Sequence, residues 1–153
     1  MGAAAPFVTV GTSLLAAKQA SDLGKFNQRV SDRNALILEQ EAAQISKIKE
    51  YNLTKFNQRF ETLQSKTRLG FLKSGVELSG TALKVLQSNA EQAELQRGVI
   101  EYNAAQRERK KLDEANFARI SGQIARRRGD LAALGYVSQA GTSLLNLKQV
   151  GII

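Results

Sequence analysis

From about residue 21 to residue 69, apolar positions recur in steps that are mostly three, four, seven or eight: Leu23, Phe26, Val30, Ile37, Ile45, Ile48, Phe56, Phe60 and Leu63. That is the spacing of one face of an α-helix. Arg33, Glu41 and Asn52 break the stripe. A second helical pattern begins near Ser79 and has its regular body at 83–130. Its seam is Leu83, Leu86, Ala90, Ala93, Ile100, Ala104, Ala115, Ala118, Gly122 and Ala125, most of them small. Small residues let helix axes approach closely. The pattern therefore predicts an antiparallel pair, with large apolar residues of the first helix facing small residues of the second. The steps Ala118 to Gly122 and Ala125 to Gly129 to Ala133 suit close packing in a soluble bundle at least as well as a membrane.

Between the two patterns lies 70–86, GFLKSGVELSGTALKVL, with glycines at Gly70, Gly75 and Gly80. Glycine disfavours helix by about 0.8–1 kcal/mol relative to alanine, so residues 70–82 read as a bend. Ser74 and Ser79 are candidate N-caps for the second helix, and Ser74 with Glu77 fits the S-x-x-E capping box. The competing expectation is one unbroken helix that tolerates its glycines. With a bend, the prediction is an all-α fold: an elongated antiparallel hairpin of two long helices. A helix of about fifty residues is a rod of about 75 Å. Such a rod needs a partner helix, other subunits or both, so assembly into a ring or tube is expected.

The two ends differ from the shaft. The N-terminal apolar segment, taken as 1–20, is uncharged through residue 17, and the C-terminal one, 131–153, is uncharged through residue 147. The start has no basic residues of a secretory signal, and Pro6 stands where a myristoylation pattern wants Ser or Thr. With Pro6, Gly11, Thr12 and Ser13 inside it, the first segment is too short and interrupted for a spanning helix. Residues 11–19 read GTSLLAAKQ and residues 141–149 read GTSLLNLKQ. A fold back near Gly75 brings residue 11 opposite roughly residue 139, so the echoes meet at one end. Phe7, Val8, Leu14, Leu15, Leu134, Tyr136, Val137, Leu144 and Leu145 are the candidate subunit or membrane contacts there. A second repeat, KFNQR at 25–29 and 55–59, has an offset of thirty residues that matches neither a heptad nor an eleven-residue period, and reads as coincidence or a local duplication rather than a solenoid repeat.

Charge changes the picture more than chemistry does. The chain has 22 Lys and Arg against 14 Asp and Glu, a net charge of +8 and a pI near 10.0. Such a balance favours polyanions. Residues 97–128 hold nine bases and four acids. Arg107, Arg109, Lys110, Lys111, Arg119, Arg126, Arg127 and Arg128 are the candidate contacts to DNA or lipid phosphate. The plainer account is a solvated face with i,i+4 pairing. No aromatic residues interleave with these bases as a single-strand binder wants. The chain lacks His and Cys, and no phosphate loop, nucleophile elbow or metal-ligand cluster is present. Glu39 and Glu41, two residues apart on a helix, point apart. No catalytic residue, metal or cofactor is expected, and no enzyme.

Three segments carry a resemblance: Gly70-Phe71-Leu72-Lys73-Ser74-Gly75-Val76, then Ser79-Gly80-Thr81-Ala82-Leu83-Lys84-Val85-Leu86, then Ile100-Glu101-Tyr102-Asn103. In that order, followed by a basic Ala-rich helix and an apolar tail, they resemble the small internal virion proteins of short-tailed phages (podoviruses). The likeness covers roughly 39–145. It implies a DNA-ejection protein that packs in the virion interior near the portal, with other core and ejection proteins. Such a protein leaves with the genome and assembles as a homo-oligomer in the host outer membrane, as part of a conduit for phage DNA. Residues 131–153 do not resemble the long polar C-terminal tail of some members of that group, so functions that reside in such a tail are not expected of these residues. The alternatives are a non-membrane DNA-binding or scaffolding protein, clamping duplex with the bases of 107–111 and 126–128, and a structural coiled-coil adaptor.

Overall fold

In the computed structural model the chain forms two α-helices, α1 (Ala5–Lys73) and α2 (Thr81–Gln149). The structure describes residues 5–149, and side-chain surroundings for 11–142, 145, 148 and 149. There is no strand among them, and the fold is an all-α helical hairpin. Both helices outrun the pattern that predicted them. α1 begins at Ala5 rather than near Ser21, and α2 runs past residue 130 to Gln149. The uncharged segments are rich in Ala and Leu, good helix formers. Pro6 sits in the first turn of α1, where a missing N–H costs nothing.

The link between the helices is built on two glycines with positive φ, Gly75 at 72° and Gly80 at 56°. In this region a Cβ is strained. The Val76 N–H donates to the Phe71 carbonyl (3.1 Å) and the Gly75 N–H to the Leu72 carbonyl (3.2 Å). This pair of bonds is a Schellman motif, which satisfies carbonyls that the end of α1 would leave open. The Gly80 carbonyl accepts the first bond of α2, from the Lys84 N–H at 3.2 Å, so Gly80 is the N-cap. Ser74 was expected to cap α2 together with Glu77. Its hydroxyl instead donates to the Phe71 carbonyl at 2.9 Å, because α1 continues to Lys73 and leaves Ser74 at a helix end rather than a helix start. An unbroken helix through 70–86 is excluded by the same two glycines.

The chain divides into two compact units, and each pairs a segment of α1 with a segment of α2. One unit holds the described residues up to Ile37 and from Glu114 onward; the other is Leu38–Asp113. In the first, Gly24 lies against Gly129 and Ser31 against Gly122. Seven residues up α1 thus match seven residues down α2, which makes the pair antiparallel and heptad-like.

The seam of this first unit is small on both sides. Ala17, Ala35, Ala115 and Ala140 are its buried apolar side chains. A Cβ on Gly129 would lie 2.7 Å from the Ala20 carbonyl oxygen and 2.8 Å from the Gly24 Cα. Backbone therefore meets backbone, where Cα–H···O contacts are favourable. This corrects the expected match of large against small. Leu23, Phe26, Val30 and Ile37 are between 43% and 61% exposed, because they sit on a different face of α1 from Ala17, Gly24, Ser31 and Ala35.

In the second unit the seam is mixed. Ala42, Ala82, Leu86 and Ala93 are buried, and Ile45, Phe56, Phe60 and Ile100 are half-buried. Here large α1 residues do meet small α2 residues: Phe56 and Phe60 line a shallow groove with Ala93. Ile48 and Leu63, predicted for the same stripe, are 57% and 55% exposed.

Candidate functional site

The eight candidate polyanion contacts fall in both units, and the helix geometry spreads them. Arg107, Arg109, Lys110 and Lys111 belong to Leu38–Asp113, and Arg119, Arg126, Arg127 and Arg128 to the other unit. Successive residues on a helix turn by about 100°, so Arg126, Arg127 and Arg128 fan round the helix instead of forming a stripe. The same holds for Arg109, Lys110 and Lys111. Lys111 is the least available: its Nζ lies 2.8 Å from a Glu41 carboxylate oxygen, with the two side chains 32% and 44% exposed. Arg126 donates to the Gln28 side-chain oxygen at 3.3 Å and has Asp130 at 3.8 Å. Arg107 borders a groove with Ile45, Ile100 and Ala104. Arg109, Lys110, Arg119, Arg127 and Arg128 are exposed.

Taken separately, the units carry different charge. The first has nine bases against four acids, +5, and the Leu38–Asp113 unit has thirteen against ten, +3. The first is therefore the more polycationic, and Arg126, Arg127 and Arg128 are its run of adjacent exposed bases.

Of the candidate apolar contacts, Leu14, Leu15, Leu134, Tyr136, Val137 and Leu145 are all more than 40% exposed. The side chains of Phe7, Val8 and Leu144 lie outside the described residues. The register set by Gly24 and Gly129 brings residue 11 opposite about residue 142. The echoed GTSLL segments then overlap only at their first residues and run in opposite directions.

A second set of surface residues was missed by following the seam alone. On α2, Phe117, Ile120, Ile124 and Leu131 step by three, four and seven and are between 45% and 71% exposed. Phe117 is two residues on from the buried Ala115, so it stands about 200° round the helix from the seam. Phe26 stands in the same relation to Gly24 on α1. Each helix of this unit therefore bears two regular rows: a small one turned inward and a large apolar one turned outward. The signal was present in the spacing 117, 120, 124, 131.

Among the described residues no cluster of three His, Cys, Asp or Glu is placed to hold a metal ion, and no helix is long and apolar enough to cross a membrane. No known protein family, curated protein or solved structure matches the chain.

Proposed function

We propose that this chain is an internal virion protein of a short-tailed phage, ejected with the genome and assembled into a conduit for DNA at the host outer membrane. The observation that carries the reading is the motif pair at 70–76 and 79–86. Its glycines Gly75 and Gly80 are the two positive-φ residues of the link, so the shared segments have a physical task, reversing the chain. Support comes from the helices themselves. Rows of large apolar side chains stand exposed on them, as suits a subunit that is completed by copies of itself. Exposed bases suit a wall past which duplex moves, since phosphate contacts require no sequence reading.

The test is release of an entrapped dye from vesicles containing lipopolysaccharide or anionic lipid. Leakage above background that scales with protein supports the conduit. Folded, oligomeric protein that leaves the vesicles sealed defeats it. A second reading has its own support: with no described helix apolar enough to span a membrane, a virion DNA-binding or scaffolding protein accounts for the same bases. Strong DNA binding that collapses with salt, with no lipid binding, favours that reading.

A further inference from the structure

The outward rows of the first unit bear on how copies meet. Leu23, Phe26, Val30 and Ile37 form the row on α1, and Phe117, Ile120, Ile124 and Leu131 the row on α2. Both follow the three-four spacing of a coiled-coil seam. Because Gly24 lies beside Gly129 and Ser31 beside Gly122, the two rows span the same stretch of the helix pair. They point to its opposite sides. We propose that the α1 row of one copy packs against the α2 row of the next copy, side by side and head to tail. This rests on the self-assembly in the proposed function and names the surface that performs it.

Surface and geometry favour a second copy of the chain as the occupant. The chain exposes 11504 Å², whereas a compact monomer of 16.7 kDa is expected to expose about 7600 Å². The excess of about 3900 Å² is ample for two faces of about 800 Å² each, the contribution of one partner to a standard interface. A contact between unlike rows covers both rows of every copy with a single interface. A two-fold contact, α1 on α1 or α2 on α2, leaves the other row bare. The unlike contact also repeats the antiparallel sense of the pair inside each copy, so the helix dipoles alternate. A head-to-tail interface makes a ring where its rotation closes.

The chain has no cysteine, which makes the contact directly testable in the full-length protein. Val30 and Ile124 lie at nearly the same level of the pair and on opposite sides of it. Val30→Cys and Ile124→Cys proteins of different tag size are oxidised separately and as a mixture, then read on a non-reducing gel. A disulfide band that appears only in the mixture, and a ladder from the doubly substituted chain, are the expected results. Bonds formed within either single variant alone mean like rows meet, and overturn the proposal. No bond in any sample, with a fluorophore on the Ile124→Cys protein that shifts to the blue only on vesicles, means lipid covers the row, and overturns it too. Ile124→Glu is expected to raise the concentration of half-assembly at least about tenfold, since a charge would be buried, with helicity unchanged by circular dichroism; an unchanged midpoint counts against the interface. Cross-linking without dye leakage retains this contact and defeats the conduit, so the two claims fail separately.

Discussion

Gly129 and Gly98 are both glycines inside α2, yet they are expected to answer substitution with opposite signs. At Gly98 nothing lies within 4 Å of an added Cβ, so Gly98→Ala gains helix propensity, up to about 1 kcal/mol. At Gly129 the Cβ meets backbone atoms of α1 at 2.7 Å and 2.8 Å, and backbone cannot rotate away. Gly129→Ala is therefore expected to cost about 1–3 kcal/mol as overpacking, despite the same gain in propensity. Urea unfolding of both variants at one protein concentration checks this; equal stabilisation by the two would show that the helices do not touch at Gly129. The Lys111–Glu41 pair is a weaker determinant. Glu41 is 44% exposed, so Glu41→Gln is expected to cost less than about 1 kcal/mol, and less still in high salt. That small difference is read from unfolding midpoints at two ionic strengths.

For each helix the question is which face goes where. The existence of two helices and the place of the reversal were legible in the sequence, because three glycines interrupt long runs of good helix formers. The cap chemistry was not. Ser74-x-x-Glu77 has the letters of a capping box, but the helix before it runs on to Lys73, and local pattern alone does not say which helix owns a serine. The inward face of α1 was not legible either, for a physical reason. Hydrophobicity ranks Leu23 and Phe26 above Ala17 and Gly24, whereas close approach of two backbones selects the smaller side chains. With both Gly75 and Gly80 replaced by alanine, each left-handed position is strained by about 1–2 kcal/mol, and a helical link that exchanges α2 between two chains becomes the relief. At a dilution where the unaltered chain is dispersed into single copies, gel filtration of the double variant is expected to show a chain-exchanged dimer of twice that mass; an unshifted elution volume with unaltered stability contradicts the role given to the two glycines.

For the molecule, net charge and exposed apolar rows act together. A chain of net charge +8 repels its copies, so assembly through the outer rows is expected to strengthen as salt screens that repulsion, whereas contact with DNA weakens as counterion release loses its advantage. If duplex DNA is bound through Arg127 and Arg128, replacing both with glutamine lowers the slope of log K against log salt by about 2. A slope that does not change places the contact elsewhere, such as Arg109 and Lys110. The polycationic character was legible from composition, but its arrangement was not, because consecutive bases fan around a helix that the sequence displays as a line. The central claim is that the chain is completed by its own copies. Sedimentation or native mass of the full chain across a range of concentrations tests it most directly. The account predicts a closed assembly at a fixed multiple of 16.7 kDa; a helical, stable particle that keeps the mass of one chain at every concentration contradicts it.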